Sequence, residues 1–212
     1  MKRQLVWLMA APLIAGCDLD VNGLGGCRYE ENFSDAVSAV GMSTLRVLAG
    51  DGDLRIEGRP GLTQVRVFAT ACASSDRTVD DIDFLLYRSG STVELETDIP
   101  FSDNAHLDLV IEVPEEMAAA IYHEAGNIDV SDIDYVFIDD ESGNIDIRRI
   151  YFDVEILDES GHIDVIDVGG TVEIEDGSGD IDVEDVGGDL IVWYDSSGAI
   201  RYRNIFGQVR LP

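Results

Sequence analysis

The sequence has almost no lysine and few aromatic residues. Lys2 is its only lysine. The chain has 14 basic and 43 acidic residues, so its formal net charge is −29. A surface with this charge repels nucleic acid and anionic lipid headgroups, which excludes nucleic-acid binding and attachment to a membrane through a basic patch. Aromatic residues make up only 8% of the chain, but 45% of the residues are hydrophobic and alternate regularly, which favours a folded core over disorder.

Sequence motifs of common hydrolases are also missing. The chain contains no Gly-x-Ser-x-Gly and no His-Glu-x-x-His segment. His106, His123 and His162 are far apart in the sequence, and we expect each to lie at the surface, whereas an active site needs a base and charge-stabilising groups in one cleft. We therefore predict no catalytic site. A carbohydrate-active enzyme is kept as an alternative, because some polysaccharide lyases and esterases use parallel β-helices.

The first seventeen residues have the features of an export signal. Lys2 and Arg3 precede an apolar run that is too short to span a bilayer, and Ile14-Ala15-Gly16-Cys17 resembles the bacterial lipobox. Residues 1–16 are therefore predicted to be a lipoprotein signal peptide, with Cys17 acylated; an ordinary signal peptide is the alternative. Asp18 resembles a signal for retention in the inner membrane. We expect a periplasm-facing protein of the bacterial envelope, held by its N-terminal lipid.

The three cysteines divide into one lipid-carrying residue and one pair. If Cys17 is acylated, Cys27 and Cys72 remain as an even number in an oxidising compartment, where a disulfide is favoured over two buried thiols. Residues 17–27 contain several glycines and no periodicity, which is typical of a flexible tether. Residues 28–212 are then predicted to form one domain.

A short segment of the form Gly-x-Ile-Asp-Val recurs in the second half of the chain. It begins at Gly126, Gly143, Gly161, Gly179 and, in a divergent form, Gly198, at intervals of 17 to 19 residues. Repetition at a fixed period indicates a solenoid, and the two-residue alternation of apolar side chains within each repeat indicates β-strands. The sequence therefore predicts an all-β fold, a single-stranded parallel β-helix or β-solenoid with rungs of ~18 residues that is regular over residues 126–211.

Residues 28–125 have the same strand chemistry with less regular spacing. The segment from Asp51 to Ile56 matches an early rung, and only Glu115 to Tyr122 could form a helical turn. At the other end of the chain, Pro212 is expected to blunt an edge that could otherwise recruit another strand.

Three elements together resemble the bacterial family known as putative adhesins of unknown function. They are Asp51-Gly52-Asp53-Leu54-Arg55-Ile56, Leu109-Val110-Ile111-Glu112-Val113-Pro114, and the rungs with Ser-Gly-x-Ile-Asp. The resemblance covers roughly residues 40 to 211. It implies an envelope-exposed β-solenoid, often attached to the membrane, without established catalytic residues.

Two sets of aspartates recur at equivalent positions of the repeats. One set is Asp129, Asp146, Asp164 and Asp182, and the other is Asp140, Asp158, Asp176 and Asp195. Because calcium prefers several oxygen ligands, the first set forms a candidate calcium ladder, although the glycine-rich nonapeptide of calcium-binding β-rolls is missing. We interpret both sets as outward side chains that keep the stack soluble. Arg149 and Arg201 align with aspartates and should relieve their repulsion, and stability should rise as the pH falls modestly below neutral.

Trp193, Tyr194, Tyr202 and Phe206 lie together in the last rung. We expect bulky side chains there to close the end of the core, with a binding patch for a protein or glycan as the alternative. The function that follows is that of a membrane-anchored scaffold contacting an envelope protein or glycan along a strand face. A calcium-dependent binding module is the alternative of a different class.

Overall fold

The computed structural model describes residues 27–101 and 105–212. The predicted signal peptide of residues 1–16, the predicted acylation site Cys17 and the predicted tether before Cys27 lie outside the described residues. Within the described part, no helix is both long enough and apolar enough to cross a membrane.

Alternating apolar and polar residues form strands along nearly the whole described chain. The strands of the front half are β1 (Tyr29–Ser38), β2 (Thr44–Asp51), β3 (Leu54–Arg59), β4 (Gln64–Ala73), β5 (Asp83–Ser89), β6 (Thr92–Asp98), β7 (His106–Pro114) and β8 (Ala118–Ala125). Those of the repeats are β9 (Ile128–Ile133), β10 (Tyr135–Asp140), β11 (Ile145–Ile150), β12 (Val154–Asp158), β13 (Ile163–Val168), β14 (Val172–Asp176), β15 (Ile181–Val186), β16 (Leu190–Asp195), β17 (Ile200–Ile205) and β18 (Val209–Arg210).

One short helix, α1 (Asp76–Val79), interrupts the strands of the described chain. Its N-cap is Ser75, whose hydroxyl accepts a hydrogen bond from the Thr78 amide at 3.1 Å. The helical turn predicted for Glu115 to Tyr122 is wrong. Strand β8 occupies most of that segment, because Ala119 and Ile121 alternate with their neighbours and point into the core.

The strands of the described chain form two sheets of nine strands each. The first has the order β1-β4-β7-β3-β9-β11-β13-β15-β17 and the second the order β18-β16-β14-β12-β10-β8-β2-β6-β5. The prediction of an all-β fold with parallel stacked repeats is confirmed. The prediction of a single-stranded architecture is wrong, because every repeat from β9 onward contributes one strand to each sheet, and the turn between its two strands separates them.

Equivalent residues of successive repeats lie side by side in the parallel pairing. Ile145 pairs with Ile128 and Ile163, and Ile163 pairs with Ile181, so one residue type continues through the stack. These isoleucines are fully buried, and the inward faces of both sheets belong to one hydrophobic cluster. Ile163 and Val165 therefore both point inward, as the two-residue alternation predicts. Burial of such columns supplies the main favourable free energy of folding.

Glycine starts each repeat because the backbones approach too closely there for any side chain. Gly161 and Gly179 have φ angles of +157° and +154°. A Cβ atom on either residue would lie 1.6 Å from the carbonyl oxygen of the glycine one repeat earlier. This close approach, together with the positive φ, explains why the repeat begins with glycine.

The front half contains one repeat that is out of sequence order. Strand β3 pairs with β7 on one side and with β9 on the other, and β2 lies between β6 and β8. Leu54 pairs with Ile128 and Ile56 with Val130, so the segment from Asp51 to Ile56 belongs to an early repeat as predicted. That repeat is inserted between two units that follow it in the chain.

Antiparallel strands close the end of the stack that contains the front half. In the first sheet β4 pairs antiparallel to β7 and β1 pairs antiparallel to β4, and in the second sheet β5 pairs antiparallel to β6. Cys27 and Cys72 form a disulfide with their Cα atoms 5.4 Å apart, which confirms the predicted pairing. The disulfide ties the start of the described chain to the edge formed by β1 and β4.

We predict that inward and outward neighbours in one strand differ strongly in their effect on stability. Ile163→Asp should destabilise the fold by roughly 4 kcal/mol or more, because it buries an unpaired charge and removes core volume. Asp164→Asn, at the adjacent outward position, should change the free energy of unfolding by about 0.5 kcal/mol or less. Urea denaturation of both variants measures the difference, and similar losses in the two would contradict the assignment of the faces.

Candidate functional site

The first set of aspartates lies on the outer face of the first sheet, as predicted, and each member contacts an arginine. Arg148 contacts Asp146 at 2.5 Å and Asp164 at 3.5 Å. Arg55 contacts Asp129 at 2.9 Å and Arg201 contacts Asp182 at 3.3 Å. Each carboxylate of this column, which we call the outer column, therefore belongs to a partly exposed ion pair. Within residues 27–101 and 105–212, no three His, Cys, Asp or Glu side chains are grouped as metal ligands.

A second column lies on the outer side of β9, β11, β13, β15 and β17, at the residue that the parallel pairing between these strands skips. Its members have left-handed backbones with φ between 54° and 64°, and they are Asp132, Arg149, Asp167, Asp185 and Asn204. Arg149 donates two hydrogen bonds of 2.6 Å to the carboxylate of Asp132. These hydrogen bonds lower the pKa of Asp132. The expected relief of repulsion by Arg149 is thus present in the structure.

Three of the four aspartates of the second set are buried and the fourth, Asp195, is half-buried, which corrects our assignment of these residues to the outside. Asp140 and Asp176 are each 1% exposed and Asp158 is 6% exposed. They end strands β10, β14 and β12, where the two-residue alternation that buries Ile156 also turns Asp158 inward. Asp140 pairs with Asp158, Asp158 with Asp176, and Asp176 with Asp195. We call these four residues the buried column.

His123 heads the buried column and is itself buried, so the prediction that it lies at the surface is wrong. It pairs with Asp140 in the sheet, and its Nδ1 atom lies 2.8 Å from Asp140 Oδ1. Its Nε2 atom lies 2.8 Å from the carbonyl oxygen of Gly52. Burial acts to lower the pKa of His123, but the hydrogen bonds to Asp140 and Gly52 outweigh it, and the pKa is raised.

The buried aspartates also shape the turns that lead from the second sheet to the first. Asp158 Oδ1 accepts a hydrogen bond from the Ser160 amide at 3.1 Å, and Asp176 Oδ1 accepts one from the Ser178 amide at 2.9 Å. A side chain that accepts the amide two residues later is a standard way to fix a turn. The sequence contains the signal for this arrangement, since Asp-x-Ser recurs at both turns.

The other two histidines have different surroundings. His162 is exposed, as predicted, and its Nε2 atom lies 3.7 Å from Asp182 Oδ2. His106 begins β7 and is half-buried.

The aromatic residues expected to close the end of the core do not close it. Trp193 and Tyr194 lie in β16, Tyr202 lies in β17, and Phe206 directly follows β17. Trp193, Tyr194, Tyr202 and Phe206 are 57%, 55%, 48% and 83% exposed. Tyr202 occupies the inward position beside Val183, but no further strand of the described chain lies beyond β17. We call these four residues together with the free edge of β17 the distal surface. Large exposed aromatic groups of this kind are typical of contact surfaces.

The distal surface also differs from the rest of the molecule in charge. Residues 196–212 contain three arginines and no acidic side chain, whereas the whole chain has a net charge of −29. Arg201 contacts Asp180 and Asp182, and Arg203 contacts Glu184, so two of the arginines are paired with the preceding repeat. Residues 196–212 thus add three positive charges to the end of an acidic stack, and carboxylates of the preceding repeat balance two of them.

The comparisons with known proteins concern the fold. No protein-family model matches the sequence, and no curated protein is significantly similar to it. A putative cell adhesion protein from Clostridium sporogenes is 13% identical with a TM-score of 0.44, and the match covers 86% of this chain and 98% of that one. A putative adhesin from Bacteroides fragilis is 9% identical with a TM-score of 0.34, covering 85% of this chain and 96% of that one.

A putative adhesin from Parabacteroides distasonis is 11% identical with a TM-score of 0.31, covering 85% of this chain and 96% of that one. The structural neighbours therefore have the same family name as the resemblance found in the sequence. At these identities and TM-scores they indicate no ligand or activity for this chain.

We predict that Arg149→Glu destabilises the protein more than Arg28→Glu. The first change removes two hydrogen bonds and places a third carboxylate between Asp132 and Asp167, which should cost roughly 1 kcal/mol after allowance for the exposure of the pair. Because salt screens exposed charges, the difference should shrink at high ionic strength. Denaturation at low and high sodium chloride concentration measures it, and equal stability of the two variants at low salt would show that the column carries no net repulsion.

Proposed function

We propose that the chain is a lipid-anchored, non-catalytic scaffold of the bacterial envelope, folded as a β-solenoid with two strands per rung, that presents its distal surface to a partner. One observation carries this proposal: β1 and β17 are the two opposite edges of the first sheet. With strands about 4.8 Å apart, the two edges are separated by roughly 38 Å. The described chain therefore begins at one end of the stack, and four of its exposed aromatic residues, Trp193, Tyr194, Tyr202 and Phe206, lie toward the other.

The attachment point proposed at Cys17 fits this polarity. Cys17 precedes Cys27 by ten residues, and the disulfide of Cys27 fixes the entry of the chain at the edge formed by β1 and β4. Two or three acyl chains would hold that edge near the bilayer. The stack would then project the distal surface away from the lipid, and Asp18 supports the periplasmic face of the inner membrane as the site of attachment.

The partner that the distal surface fits best is an extended, acidic segment of an envelope protein. Strand β17 is an edge strand of the described chain, so its outer backbone groups can pair with an added strand. Ile200, Tyr202 and Ile205 would contact alternate side chains of that strand. Of the three arginines of residues 196–212, Arg210 contacts Gln208 and no carboxylate of the described chain, which favours an acidic sequence. A glycan is the alternative occupant that the experiment below distinguishes.

A calcium-dependent binding module is less well supported. Asp129, Asp146, Asp164 and Asp182 already contact Arg55, Arg148 or Arg201, so a cation would have to displace these arginines. A carbohydrate-active enzyme finds no specific support in the arrangement of His123, because its ring is enclosed between Asp140 and Gly52.

We predict that Cys17→Ser abolishes acylation and releases the protein from membranes. The thiol is the acceptor of the lipid, and a hydroxyl at this position cannot replace it. Intact mass and membrane fractionation of both proteins measure the effect. If the wild-type protein has no lipid and the variant still sediments with membranes, the anchor is wrong.

We also predict that contact with the partner is confined to the distal surface. A photo-crosslinking phenylalanine analogue at Phe206 should give a defined adduct in cells that produce the full chain. The same analogue at Tyr151 should not, although Tyr151 occupies the equivalent position three repeats earlier and is also exposed.

The adduct at Phe206 should be sensitive to protease and should be lost when Arg203→Glu is added. An adduct that resists protease but yields to glycosidases would identify a glycan instead. Equal yields from Phe206 and Tyr151, or none from either, would exclude the distal surface as the contact.

A further inference from the structure

The buried column contains more carboxyl oxygens than hydrogen-bond donors. Asp140 uses Oδ1 for His123, while Asp158 and Asp176 use Oδ1 for backbone amides. The second oxygens of these three residues, and Oδ1 of Asp195, are buried without a hydrogen-bond partner. An unpaired oxygen in a buried carboxylate is costly, so the column needs a source of positive charge or of protons.

The charged groups near the column are nearly all acidic. His123 faces Asp140 from β8, and Asp53 approaches His123 from the turn between β2 and β3. Asp158 faces Asp140 on one side and Asp176 on the other, with Glu159 beside it. Asp176 faces Asp195 of β16. His123 is thus the single cationic group among the groups that influence these residues in the described chain.

A neighbouring column shows how this fold satisfies polar groups that stack in register. Asn127 donates from Nδ2 to Asp53 Oδ1 at 3.0 Å, and Asn144 donates from Nδ2 to Asn127 Oδ1 at 3.1 Å. Each amide has both a donor and an acceptor, so each link of that ladder is complete. A carboxylate has no hydrogen to donate. A protonated carboxyl group has one, so it could donate a hydrogen bond to the carboxylate of an adjacent repeat, as the amides do in the asparagine column.

We propose that the buried column is a proton-sharing ladder, in which protonated carboxyl groups donate to carboxylates of the adjacent repeats and His123 supplies the positive charge at its head. The ladder makes the folded protein more stable in mild acid than at neutral pH. Its ligand is the proton itself, taken up on folding at the unpaired oxygens, and no bond other than those to hydrogen changes.

The pKa shifts agree with this geometry. Burial, together with the charges of Asp140 and Asp176, raises the pKa of Asp158 to about 7. Burial raises the pKa of Asp176 to about 6. A group whose pKa is raised on folding stabilises the folded protein fully at pH values below its pKa in the unfolded chain, which is near 4 for aspartate. This stabilisation is lost as the pH rises through the pKa of the group in the folded protein.

For Asp158 the loss therefore extends from about pH 4 to 7, and for Asp176 from about pH 4 to 6. The raised pKa of His123 also makes stability fall as the pH rises, but only above 6.5, the usual pKa of histidine. Asp132 and Asp180 have lowered pKa values and act in the opposite direction, but only in stronger acid, below their unfolded values near 4.

The experiment measures the stability of the full chain from pH 7.5 to 4.5 for the wild type, Asp158→Asn and the control Asp164→Asn. The wild type should melt at a higher temperature at pH 5 than at pH 7.5. The slope of the free energy of unfolding against pH gives the number of protons bound on folding. Near pH 5.5 this number should be about two for the wild type and about one for Asp158→Asn. Asp164→Asn removes a carboxylate from the outer face of β13, the strand that follows β12 in the chain, and should leave the slope of the wild type unchanged.

Infrared spectroscopy of the wild type gives a test that does not depend on a variant that folds. A carboxylic acid C=O band from a buried group should be present at pH 6 and should disappear well above pH 7. Asp176→Asn serves as the second variant if Asp158→Asn does not fold, and it too should bind one proton fewer.

Three results would overturn the proposal. One is an identical slope in the wild type and both buried variants, and another is the absence of the carboxylic acid band at pH 6. The third is a rise in melting temperature on addition of calcium at pH 7.5 that is abolished by Asp158→Asn, which would show that the column holds a cation in place of protons.

Discussion

Parallel, in-register pairing of the repeats is the constraint on which the structure depends. It places each side chain about 4.8 Å from its equivalent in the next repeat, so every property of a position is repeated along the stack. For Ile128, Ile145 and Ile163 the repetition is favourable, because like apolar side chains pack together and exclude water. For a charged position the same geometry sets like charges side by side.

The molecule solves this problem differently at different positions. On the outer face, arginines such as Arg148 lie beside the column of aspartates and contact them, and the pairs remain accessible to water and ions. At the turn, Asn127 and Asn144 need no countercharge because amides both donate and accept. In the buried column neither an arginine nor a side-chain amide is present, so the repetition of aspartate leaves buried oxygens unpaired. Solvent access, more than residue type, decides what each column requires.

The sequence predicted the repeating part of the fold well because its two rules, a fixed period and a two-residue alternation, act locally. The same alternation places Asp158 inward beside Ile156, but the general tendency of aspartate to be exposed led to the opposite assignment. Tyr202 is exposed because the stack ends at β17, and no local pattern in the sequence shows where the stack ends. Nor does any pattern record that Leu54 pairs with Ile128, 74 residues later, which inserts one repeat between two others.

That inserted repeat gives the two ends of the molecule different freedom to change. Strands β2 and β3 are held between units that come later in the chain, so deleting or duplicating any unit of the front half would disrupt several pairings at once. Beyond β9 each repeat pairs only with the repeats before and after it. Duplication of a whole repeat there would lengthen the stack without changing its closed end. The end of the stack that contains the front half therefore has a fixed set of strands. Evolution can lengthen or shorten the other end by whole repeats.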